Sequence, residues 1–267
     1  MSALSGMIAL SGFISVNGRR LEYNWHGPAP CEAPTLVLLH QGLGCVETWK
    51  DFPEHLARAT GLGVFVFSRQ GYGRSDPCDL PRPLDYMQRE ALEWLPKLLD
   101  AAGIEQCVLV GHSDGGSIAI VHAGAVEDAR VRGLVLEAPH VFVEDLSVNS
   151  IADAKTEYET GDLKARIAKR HGSNAEIAFR GWNDAWLDPE FRSWNIEGYL
   201  PAIQVPALVI QGRDDQYGTI AQVDAIARQS GGSVEVVMLD DCAHSAHRDQ
   251  PEKTLEAMAG FVANLFD

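Results

Sequence analysis

The stretch Cys107-Val108-Leu109-Val110-Gly111-His112-Ser113-Asp114-Gly115-Gly116 decides how this chain is read. An apolar, β-rich run stops at Gly111, and Ser113 stands between Gly111 and Gly115 in a G-x-S-x-G pattern. The pattern marks a sharp strand-to-helix turn only if a strand precedes it and a helix follows. Both conditions are met in outline: Cys107 to Val110 is short and β-rich, and Ser117-Ile118-Ala119-Ile120-Val121-His122-Ala123 is a compact apolar segment suited to a buried helix. Such a turn strains its central residue and crowds the neighbours, so the flanking positions favour residues without a Cβ, as Gly111 and Gly115 are. The following helix would aim free N–H groups and partial positive charge at an oxyanion forming beside Ser113. An ordinary glycine-rich connection would match the same five residues, so the rest of the chain must supply the context.

A chain of 267 residues buries a sizeable core and suits one large α/β domain with an insertion. The 22 Lys and Arg against 37 Asp and Glu leave a formal charge of −15, which repels nucleic acid and anionic membrane surfaces. No apolar stretch approaches the roughly 20 residues needed to span a bilayer, and Met1 to Leu10 lacks the basic start of a secretory signal. Cys31, Cys45, Cys78, Cys107 and Cys242 are odd in number and scattered, which suits reduced thiols and a cytoplasmic location.

Outward from the serine turn, strands and helices alternate. Phe13 to Val16 and Leu21 to Trp25 flank Asn17-Gly18, a hairpin signal. Thr35 to Leu39 is a continuous apolar run of the kind buried on both faces of a parallel sheet, followed by a glycine-rich loop and a helix expected over Glu47 to Ala59. Gly63 to Phe67 reads as the next strand, with a polar glycine-rich loop, Arg69 to Ser75, behind it. Asp85 is a candidate N-cap for a helix to about Ala102, kinked or split at Pro96. Further strands are expected over Gly133 to Glu137, Ala207 to Gln211 and Val234 to Leu239, and a last helix over Glu252 to Leu265. This alternation implies a mostly parallel central sheet flanked by helices. Only Val143 to Leu200 breaks it, being polar, helix-like and rich in tryptophan. The expected division is a core of 1–143 and 201–267 with a helical cap insertion, 144–200.

With these loops in place the sequence resembles the α/β-hydrolase superfamily over nearly its whole length, in the family's order of serine, acid and histidine. Gly111-His112-Ser113-Asp114-Gly115 resembles its nucleophile elbow, Gly212-Arg213-Asp214-Asp215 its acid turn, and Asp241-Cys242-Ala243-His244 its histidine loop. Gln70-Gly71-Tyr72-Gly73-Arg74-Ser75 is similar to its early glycine-rich loop, although arginine is commoner where Gln70 stands. The resemblance implies that Ser113 is a nucleophile activated by a neighbouring base, His244, with His247 the nearby competitor, and that Asp215 rather than its turn-forming neighbour Asp214 orients the imidazole. It also implies an oxyanion hole of the Asp114 N–H and one from His40-Gln41-Gly42-Leu43-Gly44, where Gln41 stands at a position frequently glycine, so that the second donor is Gln41 or, preferred here, Gly42. The Asp114 carboxylate either complements the helix dipole or, as in the valacyclovir hydrolase-like branch whose Ser-Asp-Gly-Gly elbow it resembles, receives a substrate amino group.

His40 and His112 read as packing or hydrogen-bonding residues. A metal site at Cys242, His244 and His247 is not expected, since no fourth ligand is evident. Trp182, Trp186 and Trp194 are core residues or, for Trp182 and Trp186, walls of an apolar substrate pocket. The expectation is a cofactor-free serine hydrolase for small carboxylic esters, with a small-molecule substrate and neither nucleic-acid nor membrane partners. Thioester or lactone cleavage stays open because the same triad serves it. Carbon–carbon cleavage of aromatic ring-fission products is disfavoured by His112 and Ser245, where that branch often carries asparagine and tryptophan. A receptor built on the same fold is the non-enzymatic alternative.

Overall fold

The computed structural model describes residues 8–266. The reading of Met1 to Leu10 as no secretory signal therefore falls largely outside the described residues. The strands are β1 (Ile8–Val16), β2 (Arg19–Gly27), β3 (Thr35–Leu39), β4 (Gly63–Phe67), β5 (Cys107–His112), β6 (Val131–Glu137), β7 (Ala207–Gly212) and β8 (Val234–Leu239). The α-helices are α1 (Phe52–Thr60), α2 (Tyr86–Arg89), α3 (Leu95–Ala101), α4 (Asp114–Ala125), α5 (Asp145–Thr160), α6 (Leu163–His171), α7 (Ala175–Trp186), α8 (Ile220–Gln229), α9 (Ala246–Asp249) and α10 (Pro251–Phe266). None is long and apolar enough to cross a membrane.

The strands form one sheet in the order β1-β2-β4-β3-β5-β6-β7-β8. β1, β2 and β4 pair antiparallel, and every pairing from β4 to β8 is parallel. The Asn17-Gly18 turn has φ of 52° and 72°, the paired positive angles that let a two-residue hairpin follow the strand twist. β3, β4 and β5 are buried at every position because both faces are covered. Leu36, Leu38, Val108 and Val110 pack with Phe52, Leu56, Met258 and Phe261 of α1 and α10. Val37, Leu39 and Leu109 face the other way, into a cluster that includes Leu98, Ile118, Ile120 and Ile226 from α3, α4 and α8. β3 lies between β4 and β5, so successive connections leave it in opposite directions, opening the crevice at the carboxyl ends where α/β sheets hold ligands.

One local expectation needs correction. The helix expected over Glu47 to Ala59 is divided into a 3₁₀ turn, Val46–Trp49, and α1, because Lys50 takes φ 54°, which no helix can carry. Asp85 stands at the N-cap of α2, as expected, although its side chain makes no capping bond; the carboxylate instead accepts from Arg89 Nε at 2.8 Å, one helical turn on. The bend expected at Pro96 is taken up by a π-helical segment, Glu90–Trp94, directly before α3, which relieves the clash of the ring with the preceding turn.

The segment between β6 and β7 is helical, containing α5, α6 and α7 with short 3₁₀ turns; its extended contact among the described residues is one bridge, Phe142 to Asn195. It is tied to the core by polar contacts as well as packing. Asn174 Nδ2 donates to the carbonyls of Gly73 and Ser75 at 3.1 and 2.7 Å. His171 Nδ1 accepts from the Gly73 N–H at 3.0 Å, so its Nε2–H is left to donate to the Leu43 carbonyl at 3.3 Å.

Candidate active site

Ser113 directly follows β5 with φ 55° and ψ −119°, a strained conformation for a residue with a side chain. The turn is held by a hydrogen bond from its N–H to the Glu137 carbonyl at 2.9 Å and by those its own carbonyl accepts from Gly116 and Ser117 at 2.8 and 3.1 Å. A Cβ on Gly115 would lie 2.0 Å from the Leu39 carbonyl oxygen, and one on Gly111 2.3 Å from that of Gly115, so both positions flanking the serine require glycine. α4 starts at Asp114 and presents its N-terminus beside the serine.

Asp215, on the loop after β7, is buried, whereas Asp214 is exposed and uses its N–H on the Cys242 carbonyl at 2.9 Å. The Asp215 carboxylate accepts from Gln211 Nε2 at 2.6 Å and from the N–H groups of Tyr217 and Gly218 at 2.7 and 3.3 Å. Both its oxygens stand 2.9 Å from His244 Nδ1. Burial pushes this carboxyl up, but the His244 contact and these donors outweigh it and hold the group below its ordinary value, hence ionised. With Nδ1–H committed to the carboxylate, His244 keeps Nε2 as the free base. Tyr217 and His140 pack on its ring with centroids 4.8 and 5.7 Å away.

Ser113 and His244 line one cavity of about 80 Å³, together with Gln41, Gly42, Leu43, Asp114, His140, Ile151, Trp182, Trp186 and Tyr217. Trp182 and Trp186 thus serve as walls, while Trp194 packs behind Trp186. A Cβ on Gly42 would lie 2.2 Å from the Trp182 indole, so the loop passes the insertion closely there. His40 and Arg69 shape this loop. Arg69, fully buried, donates from Nη1 to the His40 carbonyl at 2.5 Å and from Nη2 to that of Gln41 at 3.1 Å. His40 Nε2 accepts from the Arg69 N–H at 3.0 Å while its Nδ1–H donates to the Gln41 carbonyl at 2.7 Å. The Asp114 carboxylate is buried behind the elbow, accepting from Tyr86 Oη at 2.5 Å with Arg69 Nη2 3.9 Å away; burial raises it and the Arg69 charge opposes that.

His247, the competitor, does not line this cavity. Its Nδ1–H donates to both oxygens of Glu137, at 2.8 and 3.0 Å. His112, Glu137 and His247 form the metal-competent group among the described residues, with ligand atoms within 4.8 Å of one another. Their hydrogen bonds already engage them, so an ion would have to displace these. Sequence reasoning left out Glu137, His140, Tyr217, Ile151, Tyr86 and Arg69, which come to the site from separate elements with no shared motif.

Burial holds several histidines neutral: His112 and His140 are pushed down to about 3, His171 to about 4, and His40 well below its ordinary value. Unfolding frees each to take a proton below its unfolded value of about 6.5, so their contribution to stability is present above that pH and is lost as the pH falls, by up to about 1.4 kcal/mol per pH unit for each. The urea midpoint should therefore drop between pH 7.5 and pH 5, and His171→Gln should flatten the slope. A midpoint that stays level or rises on acidification would contradict the neutral assignment.

The sheet order, the elbow after β5 and the acid and histidine loops after β7 and β8 define an α/β-hydrolase fold. The α/β hydrolase family model matches residues 36–257, and the chain belongs to that family. It is 27% identical over 258 residues to the human serine hydrolase BPHL, covering 92% of this chain and 84% of that protein. It is 38% identical over 218 residues to the putative carbamate hydrolase RutD of Variovorax paradoxus, covering 73% and 78%. A serine hydrolase from the polyaromatic-hydrocarbon-degrading bacterium Cycloclasticus zankles superposes with a TM-score of 0.76 at 18% identity, covering 98% of this chain and all (100%) of that one, which speaks to the fold.

Proposed function

We propose that the protein is a serine hydrolase for small carboxylic esters. Ser113 attacks the carbonyl carbon, His244 Nε2 takes its proton and returns it to the leaving oxygen, and Asp215 holds the imidazole and stabilises its cation. The N–H groups of Asp114 and Gly42 stabilise the tetrahedral oxyanion; His244 then activates the water that clears the acyl-enzyme. The observation that carries this reading is the His244 Nδ1 to Asp215 contact at 2.9 Å, in one cavity with a serine at φ 55° on a helix N-terminus. The helical segment 144–200 is read as the cap that walls the cavity, with Trp182 and Trp186 its substrate-facing residues. Asp114, already engaged by Tyr86 and facing Arg69, is read as a partner of the helix terminus and not as an amine receptor. The acidic charge of −15 and the free cysteines favour a cytoplasmic enzyme with a small-molecule substrate.

A second reading, hydrolysis of a C–N acyl bond, is favoured by the polar groups of Gln41, His140 and Tyr217 in the cavity and by the name of the RutD relative.

The cavity of about 80 Å³ makes acyl length the test. Across p-nitrophenyl esters, kcat/KM should be greatest for acetate or propionate and fall by about tenfold or more for each methylene that no longer fits. An optimum at octanoate would refute the small-acyl reading. Turnover of acyl amides or carbamates without turnover of any ester would replace the ester reading with the second one. Absence of all turnover would leave the receptor alternative.

A further inference from the structure

His112 and Glu137 are cross-strand partners at the carboxyl ends of β5 and β6. Both are fully buried, and neither lines the catalytic cavity. His112 immediately precedes the serine, and its Nε2–H donates to the backbone carbonyl of His244 at 2.8 Å, a direct link across 132 residues of sequence. Glu137 grips both sides of the same gap. Its backbone carbonyl accepts the N–H of Ser113 at 2.9 Å. Its carboxylate accepts the N–H of His247 at 3.1 Å and the Nδ1–H of the same residue at 2.8 Å, fixing the helical turn that follows His244. Trp49 closes this cluster, its ring centroid 4.7 Å from that of His247 and 6.2 Å from that of His112.

We propose that His112 and Glu137 form a buried clamp that sets the position of His244 relative to Ser113, one strut running to the carbonyl of the base and the other to the turn behind it. The clamp rests on the proposed roles of Ser113 and His244. Asp215 fixes the tilt of the imidazole but contacts only one edge of the ring, so it leaves the main chain of the histidine loop to be held from elsewhere. His112 and Glu137 supply that hold, and they are positioning residues, since neither touches the reacting atoms. Glu137 can hold both donors of His247 because it is anionic. Burial raises its carboxyl, but the neighbouring His247 and His112 and the hydrogen bonds from His247 bring it down to about 2.

The test compares wild type, Ser113→Ala, His112→Leu, His112→Gln and Glu137→Gln with p-nitrophenyl acetate, after circular dichroism has shown each to be folded. Glutamine places its amide N–H where the histidine Nε2–H lies; leucine fills the space without a donor. A misplacement of the base by a fraction of an ångström to an ångström lowers kcat by about 10- to 100-fold. The clamp predicts that loss in His112→Leu and Glu137→Gln with KM within about twofold, a shifted or broadened low-field proton resonance of His244 Nδ1–H, and a kcat for His112→Gln within about threefold of wild type. If His112→Leu does not fold, His112→Asn, whose amide falls short of the His244 carbonyl, is held to the same criteria. Folded His112→Leu and Glu137→Gln enzymes with wild-type kcat and an unmoved resonance would overturn the clamp, as would a His112→Gln enzyme no better than His112→Leu. Failure of the clamp alone leaves Ser113→Ala inactive, whereas activity in Ser113→Ala would overturn the serine mechanism itself.

Discussion

Ser113→Ala should lower kcat for p-nitrophenyl acetate by roughly 10⁴-fold or more while leaving the fold in place. In the proposed mechanism the Ser113 hydroxyl is the one group whose removal eliminates the covalent route entirely; the proposed oxyanion donors and the cavity survive, and they supply only the residual rate. The backbone hydrogen bonds of the elbow, from Ser113 N–H to Glu137 and from Gly116 and Ser117 N–H to Ser113, do not involve the hydroxyl. Circular dichroism and the urea midpoint should accordingly match wild type. Mass spectrometry after mixing with substrate should show an acyl adduct on the wild type only. Equal turnover by the two proteins would remove Ser113 from the mechanism.

Asp215→Asn should lower kcat by about 10⁴-fold, and Asp214→Asn should change it by less than about twofold. The donors around the buried carboxylate decide which way an asparagine turns. Tyr217 and Gly218 both direct N–H groups at Oδ1, so an asparagine must keep its carbonyl oxygen there and turn its NH₂ toward Gln211 and His244. The amide then donates to His244 Nδ1, which must give up its proton, and the remaining proton moves to Nε2, the position that has to accept from Ser113. The geometry survives, but the wrong tautomer faces the serine. Asp214 is exposed and contributes a backbone N–H, which asparagine retains. Steady-state kinetics of the pair discriminates the two residues directly; equal losses would mean that the acid had been assigned to the wrong aspartate.

The parts of this fold most legible in the sequence are those in which burial acts on every residue. β3, β4 and β8 have the bounds that their apolar runs suggest, because a strand covered on both faces has no polar position to blur its ends, or, for β8 at the sheet edge, because turn residues bracket it. Ser113 could be singled out because its turn imposes glycine on both sides, and His244 and Asp215 through the resemblance of the loops after two late strands to the family's motifs. Lys50 illustrates the limit: nothing in Trp49-Lys50-Asp51 announces the positive φ that splits the expected helix, since lysine adopts it only under the demands of the surrounding loop. Glu137 illustrates another. In sequence it is the last residue of an ordinary strand, and only the pairing of β5 with β6 brings it under the histidine loop. His247 could compete with His244 in the sequence because they are neighbours in the same loop, but one turn of helix sends it to the opposite side, against Glu137.

The contacts of His171 and Asn174 give the helical segment an unusual relation to the rest of the molecule. They join it to Leu43 beside the oxyanion loop and to Gly73 and Ser75 of the early glycine-rich loop, through backbone groups that any swing of the segment would strand without partners. The segment that supplies Trp182 and Trp186 to the cavity is thus bolted, through Leu43, to the loop that supplies the cavity's other side. With the backbone so tied, the size of reactant admitted falls to the side chains that line the cavity, Trp182 and Ile151 among them, and not to a moving segment.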